Sequence, residues 1–99
     1  MNKYKIVVSP QFGRSLSKFL NKLNQNQAVR LAKAVDNLNQ ILSIFPESYP
    51  LVQFNKYYEI PYRKAVIGKY YVVVYFFQQE IIYLVNIFHS AENWKSKIF

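Results

Sequence analysis

The spacing of apolar positions changes along the chain, and each change predicts an element. In Tyr4 to Val8, aromatic and β-branched residues alternate with Lys5 so that Tyr4, Ile6 and Val8 share a face, the pattern of a short strand. Ser9 and Pro10 then predict a helix start, because a serine hydroxyl accepts from an orphan amide and proline suits the first helical position. Phe12, Leu16, Phe19, Leu20 and Leu23 recur every three or four residues, while Arg14, Lys18 and Lys22 follow at four-residue spacing along another face. Asn24, Gln25 and Asn26 interrupt this pattern as a short connection. A second helical stripe follows, formed by Ala28, Leu31, Val35, Leu38, Leu42 and Phe45 and ending before Pro46. The two helices should form an antiparallel hairpin closing on a core rather than an independent coiled coil.

From Pro46 to Asn55 the periodicity fades and prolines enter, which predicts a loop with short extended pieces. Beyond it a period of two returns, with Tyr58, Ile60 and Tyr62 alternating against Tyr57 and Glu59, then the run Arg63 to Ile67 and a turn at Gly68-Lys69. The most apolar stretches, Tyr70 to Phe77 and Ile81 to Phe88, read as central strands joined by a hairpin through Gln78 and Gln79. The order strand, helix, helix, three to four strands predicts an α+β fold, a mostly antiparallel sheet covered on one face by an N-terminal helix hairpin. With 99 residues the chain suffices for a single domain, 1–99, because a second core would lack residues to fill it.

Composition narrows the chemistry. A hydrophobic content of 52% with 18% aromatic residues supports a packed core and argues against disorder. With Cys 0 and His 1 there is no thiolate zinc site, disulfide, cysteine nucleophile or histidine cluster, so no metal is expected. Gly13 and Gly68 are the whole glycine complement and form no phosphate-binding loop, so no cofactor is expected either. Asp36, Glu47, Glu59, Glu80 and Glu92 are dispersed, without the spacing of a carboxylate dyad. Lys3 and Lys5 interrupt any signal-peptide core, and Gln78 to Glu80 divide the apolar C-terminal half well short of the roughly 20 residues of a spanning helix. A soluble, cytoplasmic protein without membrane contact is expected. Thirteen Lys and Arg against five Asp and Glu give a net charge of +8, which attracts nucleic acid, an anionic surface or an acidic protein.

Basic and aromatic residues gather in the sheet half: Arg63, Lys64, Lys69 and His89, with Tyr57, Tyr58, Tyr62, Tyr70, Tyr71 and Tyr75. Cations bind phosphates and exposed rings stack on unpaired bases, so such a sheet suits RNA, whereas tyrosines in a core would bury their rings and keep their hydroxyls wet. Lys64, Tyr71 and Tyr75 are the candidate contacts to RNA or another target. His89, directly after the last strand, is the only conventional acid or base near neutrality.

The segments Tyr4-Lys5-Ile6-Val7-Val8-Ser9-Pro10, Tyr62-Arg63-Lys64, Gly68-Lys69-Tyr70-Tyr71-Val72-Val73-Val74-Tyr75 and Val85-Asn86-Ile87-Phe88-His89 through Asn93-Trp94, in this order, resemble the RelE/ParE toxins of type II toxin-antitoxin systems. The resemblance covers almost the whole chain. It implies a small basic toxin held inactive by a cognate antitoxin, one branch cutting mRNA on the ribosome and another poisoning DNA gyrase. Arg63 matches a basic residue that often opens the strand before the central hairpin, Tyr71 and Tyr75 match two aromatic positions, and His89 stands where relatives commonly carry Tyr or His. Where many relatives have paired arginines before an aspartate and tryptophan, this chain has Ala91-Glu92-Asn93-Trp94.

Metal-free RNA cleavage needs a deprotonated 2′-hydroxyl, a stabilised phosphorane and a protonated leaving oxygen. Arg63 and Lys69 are the candidate phosphate stabilisers, His89 the acid or base, and Glu59 an orienting or basic carboxylate. This set tips the expectation toward a ribosome-dependent ribonuclease. The alternatives are a non-enzymatic gyrase inhibitor and an RNA-binding module without toxicity. The helix edge of Arg14, Lys18 and Lys22 is the expected electrostatic footprint of an acid-containing antitoxin segment.

Overall fold

The computed structural model describes residues 3–54 and 59–98. Strand β1 (Lys5–Val8) passes through Ser9 into helix α1 (Pro10–Lys22). Ser9 works twice there: its Oγ accepts from the Phe12 N–H at 3.0 Å, capping the helix, and donates to the Val85 carbonyl at 2.6 Å. Helix α2 (Gln25–Ile44) begins earlier than the sequence pattern indicates. Asn24 is its N-cap rather than part of a loose connection, because Asn24 Oδ1 accepts from Gln27 N–H at 2.9 Å and Gln27 Oε1 accepts from Asn24 N–H at 3.4 Å. The helix also ends earlier: Phe45 is its C-cap and lies exposed, outside the buried stripe of Leu31, Val35, Leu38 and Leu42.

Three strands follow, β2 (Arg63–Ile67), β3 (Tyr71–Gln78) and β4 (Ile81–His89), then a short 3₁₀ helix, Trp94–Lys97. The four-stranded sheet has the order β1-β4-β3-β2. The hairpins make β2, β3 and β4 antiparallel, while β1, joined to β4 by no hairpin, pairs with it in parallel. The alternating run before β2 adds no strand among the described residues. The chain bends at Glu59 and Ile60, and Tyr57 and Tyr58 lie outside the described residues.

The β2–β3 reversal places Gly68 and Lys69 at φ 57° and 69°, and the β3–β4 reversal places Gln79 at φ 55°. Glycine adopts this left-handed region readily, whereas a Cβ makes it costly for lysine and glutamine. In β4 the register skips a residue: Val74 pairs with Asn86 and Tyr75 with Leu84, leaving Val85 as a bulge. Val85 is the residue whose carbonyl Ser9 caps, so the bulge ties the start of α1 to the central sheet.

The helices cover one face. Phe12, Leu38 and Leu42 pack with Val73, Ile82 and Leu84, each such side chain worth roughly 1.5–3 kcal/mol of burial. Tyr4 and Ile6 join this core, but Val8, expected on the same face, is exposed. The opposite face is also partly covered, since Val52, Tyr62 and Ile98 close over Val72, Val74 and Phe88. Among the described residues no helix is long and apolar enough to cross a membrane.

Candidate functional site

The strand register separates the candidate catalytic residues into two groups. Arg63 lies opposite Tyr75, and His89 lies opposite Tyr71. Four residues along β3 are about 13 Å, and two strand spacings add roughly 10 Å crosswise. The Arg63 side chain does not shorten this gap. Its guanidinium donates to the Tyr49 carbonyl at 2.7 Å and lies 5.6 Å from the centroid of Phe77, which is further along β3, away from Tyr71. Glu59 is exposed on the bend four residues before Arg63. Lys69 sits at the other end, on the exposed β2–β3 turn near His89 and Tyr71.

Arg63 and Tyr75 together clamp the segment that leaves α2. The Tyr75 ring is fully buried, its hydroxyl donates to the Pro46 carbonyl at 2.7 Å, and Tyr49 meets it edge-on at 6.4 Å. Burial pushes its phenol up to about 12, an effect only partly opposed by the charge of Arg63. Tyr75 is therefore part of the core and not a surface for RNA or another target, a correction that follows from its inward parity with Val73 on β3.

His89 is built into a turn. Its backbone N–H donates to Glu92 Oε1 at 2.8 Å, and its Nδ1 accepts from the Ala91 N–H at 3.1 Å. That acceptance leaves the proton of the neutral ring on Nε2, so neither nitrogen of this tautomer offers an unused lone pair. Glu92 Oε2 accepts from Lys97 Nζ at 2.8 Å, and this bond is the first cause that holds the Glu92 carboxyl below its ordinary value. Glu92 thus stitches the last strand to the 3₁₀ helix. The local signal for it was an acid three residues beyond a strand end, where a carboxylate reaches back to turn amides.

Rings surround His89. Tyr70 stacks on it at 6.2 Å with planes 17° apart, and Tyr71 meets it edge-on at 5.7 Å while touching Phe19 of α1 at 5.1 Å. Beside these rings runs a groove of about 230 Å³, with Leu23 and Leu31 as its apolar walls and Gln27, Arg30, Tyr70 and Tyr71 at its margin. Nothing in the helical pattern reveals which turn of α2 faces the β2–β3 reversal, so Arg30 and Gln27 carry no local signal in the sequence. Lys64 lies on the opposite sheet face, its Nζ 5.9 Å from the Trp94 ring, as is the Nζ of Lys95. Arg14, Lys18 and Lys22 are exposed along α1, as their spacing predicts.

The family model for the ParE toxin of the type II toxin-antitoxin system parDE matches residues 6–94. The chain belongs to this toxin family. Membership implies an antitoxin partner for this ParE-family chain. No match is found among curated proteins. Among solved structures, the chain is similar to the solution structure of the conserved hypothetical protein HP0894 from Helicobacter pylori, with 17% identity over 90% of this chain and 97% of that one, at a TM-score of 0.49.

Proposed function

We propose that this toxin acts by binding, as a non-enzymatic inhibitor of DNA gyrase in the cytoplasm, and that its antitoxin engages the cationic edge of α1. The observation that carries this reading is the division of the candidate catalytic set. Arg63 is used on the Tyr49 carbonyl, Lys69 and His89 lie at the far end of the sheet, and Ala91-Glu92 supply no cation beside His89. General acid–base catalysis needs its groups within hydrogen-bond reach of one reacting centre, whereas inhibition by binding needs only an exposed surface. This division supports the inhibitor reading over the ribonuclease that residue types alone favour.

The test compares products. After induction, the inhibitor reading expects loss of plasmid supercoiling and a DNA-damage response, with purified toxin blocking gyrase in a supercoiling assay. New 5′ ends within translated messages, at unchanged supercoiling, would instead restore the ribosome-dependent ribonuclease. Salt-sensitive RNA binding with neither product and no growth arrest would indicate an RNA-binding module.

A further inference from the structure

We infer that the groove between the start of α2 and the β2–β3 turn binds an unpaired nucleotide, with its base on the Tyr70 and Tyr71 side and its phosphate on Arg30 and Lys69. Three features of the groove support one another. Its walls are Leu23 and Leu31, so a flat ring enters without stranding a polar group. Tyr70 is 60% exposed yet already stacked on His89, which holds its ring in place before any ligand arrives. Arg30 is the formal charge among the lining residues, and Lys69 extends from the turn between Gly68 and Tyr70, both on the lining. Among the described residues no carboxylate lines the groove, so an anion meets attraction without an opposing charge there.

Size and chemistry select the ligand. At about 230 Å³ the groove is smaller than the roughly 300 Å³ at which drug-sized pockets begin, so it takes a single ring system and leaves the charged remainder at the rim. Bases stack on exposed aromatic side chains with little sequence preference, and a guanidinium binds phosphate through paired N–H donors. A carboxylate-bearing peptide would use the cations but gain nothing from a flat ring held in place by His89. The proposal concerns nucleotide binding and does not depend on gyrase being the target.

Fluorescence anisotropy with labelled oligodeoxythymidine and with oligouridine of equal length tests it. Binding should be salt-sensitive. Tyr70→Ala should weaken it about five-fold or more, Tyr70→Phe should leave it near the parent value, and Arg30→Gln should lower the slope of log affinity against log salt by about one. Tyr70 is exposed, so folding survives its replacement, and circular dichroism confirms this for each variant. A preference for either strand, with this pattern of variants, supports the groove and identifies the sugar it takes. Failure of both oligonucleotides to bind at low salt, equal affinity of Tyr70→Ala and parent, or equal competition by oligoglutamate would overturn the proposal. None of these outcomes involves gyrase, so the two readings fail separately.

Discussion

Replacing Tyr75 by phenylalanine removes one hydroxyl and leaves the ring in its packed position. In the parent that hydroxyl donates to the Pro46 carbonyl at 2.7 Å in a buried setting. Its loss strands the carbonyl, at a cost of about 1–3 kcal/mol. For a domain of this size each kcal/mol lowers the melting temperature by roughly 4–8 °C. The same residue makes the cost depend on pH in a particular direction. The phenol titrates at 10.0 in the unfolded chain and at about 12 in the folded one. Above pH 10 the unfolded parent therefore releases a proton that the folded parent retains, and parent stability falls by about 1.4 kcal/mol per pH unit until the folded phenol also ionises. The stability due to Tyr75 is complete below pH 10 and disappears toward pH 12. The phenylalanine variant lacks this group, while the remaining tyrosines and the lysines titrate alike in both chains. Urea unfolding at pH 7.5, 10, 11 and 11.5 should show the variant less stable at first and the deficit closing as pH rises. An unchanged midpoint at pH 7.5, or a deficit constant up to pH 11.5, would refute both the hydrogen bond and the buried phenol.

Ser9→Ala should cost about 2 kcal/mol in urea unfolding and Asn24→Ala about 1, because Ser9 caps α1 and also satisfies the carbonyl of the Val85 bulge. Gln79→Gly should raise the melting temperature by a few degrees, since relief of a left-handed residue, roughly 1–2 kcal/mol, exceeds the entropic cost of glycine. An NMR titration should find the Glu92 carboxyl below its ordinary value in the parent and closer to it in Lys97→Gln; the associated stability is present above the ordinary carboxylate range and is lost as pH falls through the depressed value. Joint replacement of Arg14, Lys18 and Lys22 by Gln should slow antitoxin association about tenfold at low salt and flatten its salt dependence, as measured by stopped-flow binding; an unchanged rate would remove this edge from the interface.

Where local rules decided the structure, the sequence was readable. Ser9-Pro10 started α1, the Leu31, Val35, Leu38 and Leu42 stripe was buried, and the three C-terminal strands lay within a residue or so of their apolar runs. Misreadings arose where a polar side chain had a specific partner. Asn24 to Asn26 reads as a connection because reciprocal capping between Asn24 and Gln27 leaves no hydrophobic trace, and Phe45 continues the spacing of a helix that has ended. The candidate site was less legible for a related reason. Residue type marked Arg63, Lys69, His89 and Tyr75 as able to bind phosphate, move protons or stack, but strand register set the distances between them, and register depends on hairpins and on the Val85 bulge.

The use of Arg63 and Tyr75 follows from the size of the domain. Among the described residues the segment after α2 forms no helix or strand of its own to satisfy the carbonyls of Pro46 and Tyr49, and their donors come from the sheet beneath. Turning Arg63 toward a reacting phosphate would strand the Tyr49 carbonyl, a penalty of about 1–3 kcal/mol subtracted from whatever the guanidinium gave the transition state. Arg63→Met separates the two roles. If the guanidinium only clamps the loop, the variant loses stability, and its activity per folded molecule, assayed well below its melting temperature, stays at the parent level. If Arg63 stabilises a phosphorane, that specific activity falls by two orders of magnitude or more, roughly the loss of a single charge-stabilising donor in other enzymes, while stability falls by the same modest amount. The first outcome is expected, because exposed cations stand at the β2–β3 turn and along α1, positions suited to attracting and holding a partner.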